Sequence, residues 1–318
     1  MNKINFSNAL IPAVPTPLKE DGSIHLEDLK KYAKFMSKQA ISGVALWVHT
    51  GRGLMLNKKQ RELVIKTWKN YLANDKMIVC GVGCEYKKEI TEDRYLLHTI
   101  EMAKQAIKYE ADALLLYPPG FYFDKKNMHE KVINYHQLIA ELDLPIILFY
   151  LYEEAGGIPY GFSLLDKLFA IDQVVAIKMA TLDSVCTYQR VSNFIKSNYP
   201  RIQLITGEDR FFAYSLIRGA IGALVGLGAI CPDIQKNMMN LYFANNYEKF
   251  IKYMVKVDKL AEAIFIHPME GYIERLLYFL YLQGIIAKES VNDPFGPGIN
   301  DLDKNNIKKL YKKICEGS

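Results

Sequence analysis

The sequence has no apolar run of the roughly 18 residues that a membrane-spanning helix needs, so a membrane protein of that kind is not expected. Met1 to Leu10 lack a basic stretch followed by an apolar one and a small-residue cleavage site, which argues against a secretory signal. Cysteine is sparse. Cys80, Cys84, Cys186, Cys231 and Cys315 are odd in number and lie mostly in apolar segments, as reduced thiols of a cytoplasmic protein would. Cys80 and Cys84 are spaced as some zinc ligands are, but no second Cys/His pair completes a set and no His/Asp/Glu group has ligand spacing, so neither a metal nor a cofactor is expected. No GxGxxG word joins a strand to a helix, which removes dinucleotide binding. Tracts rich in Ser, Gly or Pro are missing as well, and disorder is not expected away from the two ends. Basic residues outnumber acidic ones by only 40 to 35 and are dispersed over stretches such as Lys30–Lys38 and Lys304–Lys313. These read as solvated helix faces, so neither nucleic acid nor a membrane is an expected partner.

What is present is a recurrence. Short apolar runs fall near Ala9–Val14, Gly43–Val48, Met77–Val82, Ala113–Tyr117, Pro145–Leu151, Val174–Lys178, Gln203–Thr206 and Gly222–Val225. Segments with helical spacing separate them, as in Leu26, Leu29, Tyr32, Ala33 and Met36. Strands alternating with helices predict a parallel sheet with crossover helices. Eight such units predict a closed (β/α)₈ TIM barrel, since an open doubly wound sheet normally stops near six strands. After the eighth strand only helical patterns follow, near Gln235–Phe243, Tyr247–Ala263, Met269–Gln283 and Lys304–Ile314, with the Pro/Gly-rich stretch Asn292–Asn300 among them. Residues 1–232 are thus expected to form the catalytic barrel and residues 233–318 a C-terminal helical extension.

A barrel of this kind places its active site at the C-terminal ends of the strands. The expected second strand runs into His49-Thr50-Gly51-Arg52, the fourth into Pro118 to Tyr122, the fifth into Phe149 to Tyr152 and the seventh into Gly207-Glu208-Asp209, while the sixth ends on Lys178. Lys178 is the most informative of these, because it closes the continuous apolar run Val174-Val175-Ala176-Ile177. A buried, unpaired ammonium is costly and responds by lowering its pKa; a neutral amine in a dry pocket is a nucleophile for ketones. The alternative is a strand-end lysine that reaches solvent or pairs with Asp183, and periodicity alone does not separate the two.

The order of PAVPTPL, a strand ending in Thr-Gly, YEADALLLYPP, LPIILFY, AIKMAT, a GED turn and GAIGALVGLGAICPD resembles the dihydrodipicolinate synthase and N-acetylneuraminate lyase family along essentially the whole barrel. The resemblance implies a class I aldolase-type mechanism in which Lys178 forms a Schiff base with pyruvate or a larger 2-keto acid. It also implies a proton-relay tyrosine at the end of strand five. Counting forward from Leu144-Pro145 puts Phe149 there and counting back from Lys178 puts Tyr150 there; Tyr150 is preferred because Phe149 has no proton to give. The family's Gly-Thr-Thr-Gly-Glu word reads Val48-His49-Thr50-Gly51-Arg52 here. Thr50 and the Gly51 amide take the place that grips the substrate carboxylate, and His49 replaces a relay hydroxyl, either as an acid–base group itself or as a structural residue. Tyr122 lies near where members insert a tyrosine into a neighbouring subunit, which implies a homodimer or homotetramer. Glu208, Leu224 and Gly226 are expected to line the pocket. Glu153 and Glu154 stand where lysine-biosynthetic members hold a carboxylate-binding arginine, so a neutral, sugar-acid-type partner is favoured over dihydrodipicolinate synthesis. A dehydratase working through the same imine, or a non-catalytic 2-keto-acid-binding paralogue, remains the alternative.

Overall fold

The structure is a computed structural model that describes residues 4–182 and 184–316. Eight strands form one parallel sheet: β1 Leu10–Pro12, β2 Gly43–Leu46, β3 Met77–Val82, β4 Ala113–Leu116, β5 Ile146–Leu151, β6 Val174–Ala180, β7 Gln203–Thr206 and β8 Gly222–Val225. From β2 to β8 each pairs with its neighbour in sequence, and β8 pairs with β1. The Val14 N–H donates to the Ala45 carbonyl at 3.2 Å and the Ser42 N–H to the Leu10 carbonyl at 2.9 Å, which brings β1 against β2 and closes the barrel. The fold is the expected (β/α)₈ TIM barrel with helices added at its C-terminal side. Among the described residues no helix is long and apolar enough to cross a membrane.

Strand alternation divides the core in two. Ala176, Phe149, Ile147, Ile205 and Leu224 pack inside the barrel, whereas Ile146, Leu148, Ile177 and Met179 pack outward against the helices. Lys178 shares the parity of Ala176 and Ala180 and so points inward; β6 continues two residues past the expected end at Lys178. The helices start where local chemistry allows. Asn57 and Gln60 form a capping box at α2 (Lys58–Tyr71), and Thr91 caps α3 (Glu92–Lys108).

The remaining barrel helices are α1 (Leu26–Ser37), α4 (Met128–Ala140), α5 (Phe162–Phe169), α6 (Val185–Asn198), α7 (Phe212–Ile217) and α8 (Pro232–Phe243), the last of which lies, but for its first residue, past the boundary expected at residue 232. Three more follow, α9 (Tyr247–Ile264), α10 (Tyr272–Leu282) and α11 (Asp301–Tyr311). A buried polar group holds them to one another. Arg275 has no solvent exposure; its Nε donates to Asp303 at 3.0 Å and its Nη1 to the carbonyls of Ile264, Ile266 and Pro268 at 3.2, 2.8 and 3.3 Å. These bonds satisfy carbonyls at the end of α9 and fix the segment that leads into the turn Met269–Gly271. Asp28 on α1 accepts from the Ala287 N–H and the Ser290 hydroxyl, and so ties the far end of the extension to the barrel wall.

Candidate active site

Lys178 projects into the C-terminal mouth of the barrel. Its Nζ stands 4.2 Å from the ring centroid of Phe149, its register partner on β5. A Cβ on Gly207 would come within 2.4 Å of the Lys178 Cε, so only glycine leaves the lysine this path. The lysine forms no direct ion pair among the described residues; Asp183 lies outside them. Burial lowers its pKa from 10.5 to about 8, against the opposing pull of Asp209 and Glu208. Burial likewise raises Asp209 to about 7, although the Leu227 N–H donates to its carboxylate at 2.7 Å. Lysine and acid are both displaced toward their neutral forms, as a buried pair held apart should be.

The chamber around Lys178 has a volume of about 60 Å³ and is lined by His49, Thr50, Phe149, Tyr152, Asp209, Arg210, Gly226, Phe265 and Tyr272, among others. A second cavity of about 570 Å³, built from the loops after β2, β3, β4 and β5, adjoins it through His49 and Leu151. The first has room for only a few water-sized groups and the second for a substrate's remainder.

The C-terminal extension supplies a wall of the inner chamber. Phe265 and Tyr272 stack at 4.8 Å, and the Tyr272 hydroxyl lies 3.0 Å from Thr50 Oγ1. Glu270 gathers three groups from the barrel. His49 Nε2 lies 2.9 and 3.1 Å from its two oxygens, Arg52 Nη1 donates to it at 2.8 Å, and the Tyr152 hydroxyl donates at 3.4 Å. Burial opposes the Glu270 charge, but the hydrogen bonds and charges of His49 and Arg52 outweigh it and hold the carboxylate down at about 2. Arg52 is itself paired with Asp293, through Nε at 3.1 Å and Nη2 at 2.6 Å.

Lys178, His49, Thr50, Glu208 and Gly226 therefore come together as expected from the sequence. Glu208 lines the chamber, but its oxygens accept from the Thr181 N–H and hydroxyl at 2.6 and 2.9 Å and from the Leu182 N–H at 3.2 Å, which leaves it little capacity for a substrate. Four expectations need correction. Tyr150 pairs in register with Met179, not Lys178, and its ring meets Tyr160 on the helix side at 5.6 Å. Strand neighbours face opposite ways, so placing Phe149 beside Lys178 puts Tyr150 outside the chamber. Tyr150→Phe is accordingly expected to leave kcat within about twofold of the parent in steady-state assays. Gly51 does not line the chamber, and its N–H is used by the Val48 carbonyl at 2.9 Å. Leu224 packs in the barrel interior without reaching the chamber. Tyr122 is buried against Phe121 and Tyr95 of its own chain, at 5.2 and 6.2 Å between rings, and does not reach outward. Tyr152, Glu270 and Tyr272 escaped notice. Tyr152 lies in the run-out of strand five beside Tyr150, with nothing to mark it, and the only trace of Glu270 and Tyr272 is the word His-Pro-Met-Glu-Gly-Tyr before an apolar helix, which nothing local ties to strand two.

A lysine buried in the mouth of a (β/α)₈ barrel, its pKa lowered by burial, marks the candidate site. Residues 6–314 match the model of the dihydrodipicolinate synthetase family, and the chain belongs to that family of class I aldolase-type lyases. It is 25% identical over 311 residues to N-acetylneuraminate lyase 2 of Escherichia coli O6:H1, covering 96% of this chain and 94% of that one. To a 4-hydroxy-tetrahydrodipicolinate synthase of Chlorobaculum parvum it is 24% identical over 313 residues, covering 97% and 99%. A prophage protein of the dihydrodipicolinic acid synthase family from E. coli K12, solved in complex with pyruvate, superposes with a TM-score of 0.83 at 18% identity, covering 98% and 99%, and shares the fold.

Proposed function

We propose that Lys178 forms an imine with the keto carbon of pyruvate or a larger 2-keto acid, and that the protein makes or breaks the carbon–carbon bond beside it. The observation that carries this is the buried amine whose burial lowers its pKa to about 8. Near pH 7 such an amine is neutral far more often than an ordinary lysine, which raises the supply of nucleophile. Attack on the keto carbon and loss of water give a protonated imine, which accepts the electron pair when the neighbouring bond breaks. The paired Thr50 and Tyr272 hydroxyls, one of which donates to the other and leaves the second proton free, are the donors for the substrate carboxylate, in place of the engaged Gly51 amide. The distal end of the substrate extends toward the wider cavity, where Glu85 and Glu153 outnumber the one further cation, Lys125, and where Arg52 is already matched by Asp293 and Glu270. That lining favours a neutral, hydroxylated aldehyde or the corresponding sugar acid over a partner with a second carboxylate.

Incubation with pyruvate and borohydride tests the reading: a reduced adduct is expected on Lys178, located by peptide mass, and is absent from Lys178→Ala. An adduct on another lysine, or none with any 2-keto acid, sinks it. The phenyl ring of Phe149 beside Lys178 favours one second reading, a paralogue that binds 2-keto acids as imines without turning them over.

A further inference from the structure

Phe149 leaves the proposed imine without a hydroxyl at the β5 position in register with Lys178, and the hydroxyl of Tyr152 just beyond β5 donates to Glu270, so another group of the chamber wall must transfer the proton. We propose that His49 is that group and that Glu270, delivered by the C-terminal extension, is its positioning residue. The inference rests on the imine at Lys178 and adds the acid–base machinery that the imine needs.

The geometry has three parts. First, the Glu270 carboxylate can only accept, so when the His49 ring is neutral its one proton lies on Nε2, which faces both oxygens at 2.9 and 3.1 Å. Nδ1 is then the basic nitrogen, and it has no hydrogen-bond partner among the described residues. Second, the ring is held on its face: it stacks on Tyr272 with centroids 6.3 Å apart and planes 18° apart. Third, Glu270 is itself fixed, by Arg52 at 2.8 Å and by the Tyr152 hydroxyl at 3.4 Å. Carboxylate, imidazole and a fixed tautomer are the parts by which acid–base histidines are oriented on unrelated folds. His49 and Lys178 line the same chamber of about 60 Å³, which leaves space for little beyond the reacting carbons.

The step balances as follows. Nδ1 takes a proton from the carbon next to the imine; that C–H pair forms the C=C bond of an enamine, and the imine nitrogen accepts the displaced π pair. The imidazolium so formed returns the proton to the alkoxide when the enamine adds to an aldehyde. Cleavage runs the same path backward, with Nδ1 first taking the proton of the hydroxyl beside the breaking bond.

Exchange of the pyruvate methyl protons in D₂O, followed by proton NMR, reads this step without any aldehyde, and borohydride trapping reads imine formation separately. Parent protein should do both. In His49→Gln exchange should fall by about 10²–10⁴, and in Glu270→Gln by about 10–10², with trapping at Lys178 close to parental in each. Glu270→Asp should recover part of the exchange, and added imidazole should restore it in His49→Ala. A folding defect would lower trapping and exchange together, so such a parallel loss in Glu270→Gln overturns the positioning role. Parental exchange in Glu270→Gln overturns it too, as does loss of exchange in Tyr152→Phe with retention in His49→Gln. A parent that is trapped but does not exchange refutes the dyad and leaves the imine standing; a parent that is never trapped refutes both.

Discussion

Lys178→Met should abolish turnover and at the same time make the protein more stable at neutral pH. The folded chain lowers the lysine pKa from 10.5 to about 8. Each pKa unit is worth about 1.4 kcal/mol, so holding the ammonium in the barrel mouth costs on the order of 3 kcal/mol. The sign follows from the two states. Below the folded value the amine is charged in both folded and unfolded chains, and the whole cost is present. As pH rises through the interval from about 8 to 10.5 the folded chain is already neutral while the unfolded one is not, and the cost fades toward zero. Methionine fills the same volume without charge. Part of the gain is offset, because Asp209 loses its cation and must be neutral to stay buried. A net gain of about 2 kcal/mol near pH 6.5 is therefore expected in urea unfolding, shrinking by about pH 9.5. A variant that is less stable than the parent at the lower pH, or whose advantage grows with pH, would show that the lysine is not strained by burial.

The barrel was legible because its signals are local. Eight apolar runs of strand length with helical spacing between them leave few other architectures, and the two-residue period turns Lys178 inward once the strand is placed. The same period fails between β5 and β6. Ile146 pairs with Val174 but Ile147 pairs with Ala176, so Val175 is an extra residue on β6. A count back from Lys178 crosses that irregularity and reaches Tyr150; a count from Pro145 does not, and reaches Phe149. Tyr122 was misplaced for a related reason, since three aromatic residues follow one another through a 3₁₀ turn, Gly120–Tyr122, where no simple period says which ring points inward. The wall built from Phe265, Glu270 and Tyr272 was illegible in a deeper sense. Its partners His49 and Arg52 lie more than two hundred residues away in the chain, and helical periodicity says which residues are buried, not what they meet.

The departures of strand two from the family's Gly-Thr-Thr-Gly-Glu word can now be read as a set, and Arg52 provides their test. A basic residue in place of the acidic one would be unpaired and nearly buried, at 7% exposure, were it not for Asp293 and Glu270, both from the C-terminal extension. Asp293 is more enclosed still, at 2%. The loop that carries it packs so closely that a Cβ on Gly296 would come within 2.5 Å of its carboxylate. Removing one member of such a pair leaves the other charge buried without compensation, and Arg52→Ala and Asp293→Ala are each expected to cost about 3–5 kcal/mol. The double variant should cost less than the sum of the two by about 2–3 kcal/mol, because neither charge is then stranded. Arg52→Met with Asp293→Leu should go further and recover much of the parental stability, as apolar replacements of buried ion pairs often do. It should not recover the chemistry. Glu270 would lose its shortest hydrogen bond, and methyl-proton exchange should fall by about tenfold while trapping at Lys178 persists. Denaturant unfolding of the four members of the cycle, with exchange measured on each, decides the matter. Additive losses within about 0.5 kcal/mol would mean that Arg52 and Asp293 do not act as a pair, and parental exchange in the apolar double variant would mean that Glu270 keeps its place without Arg52.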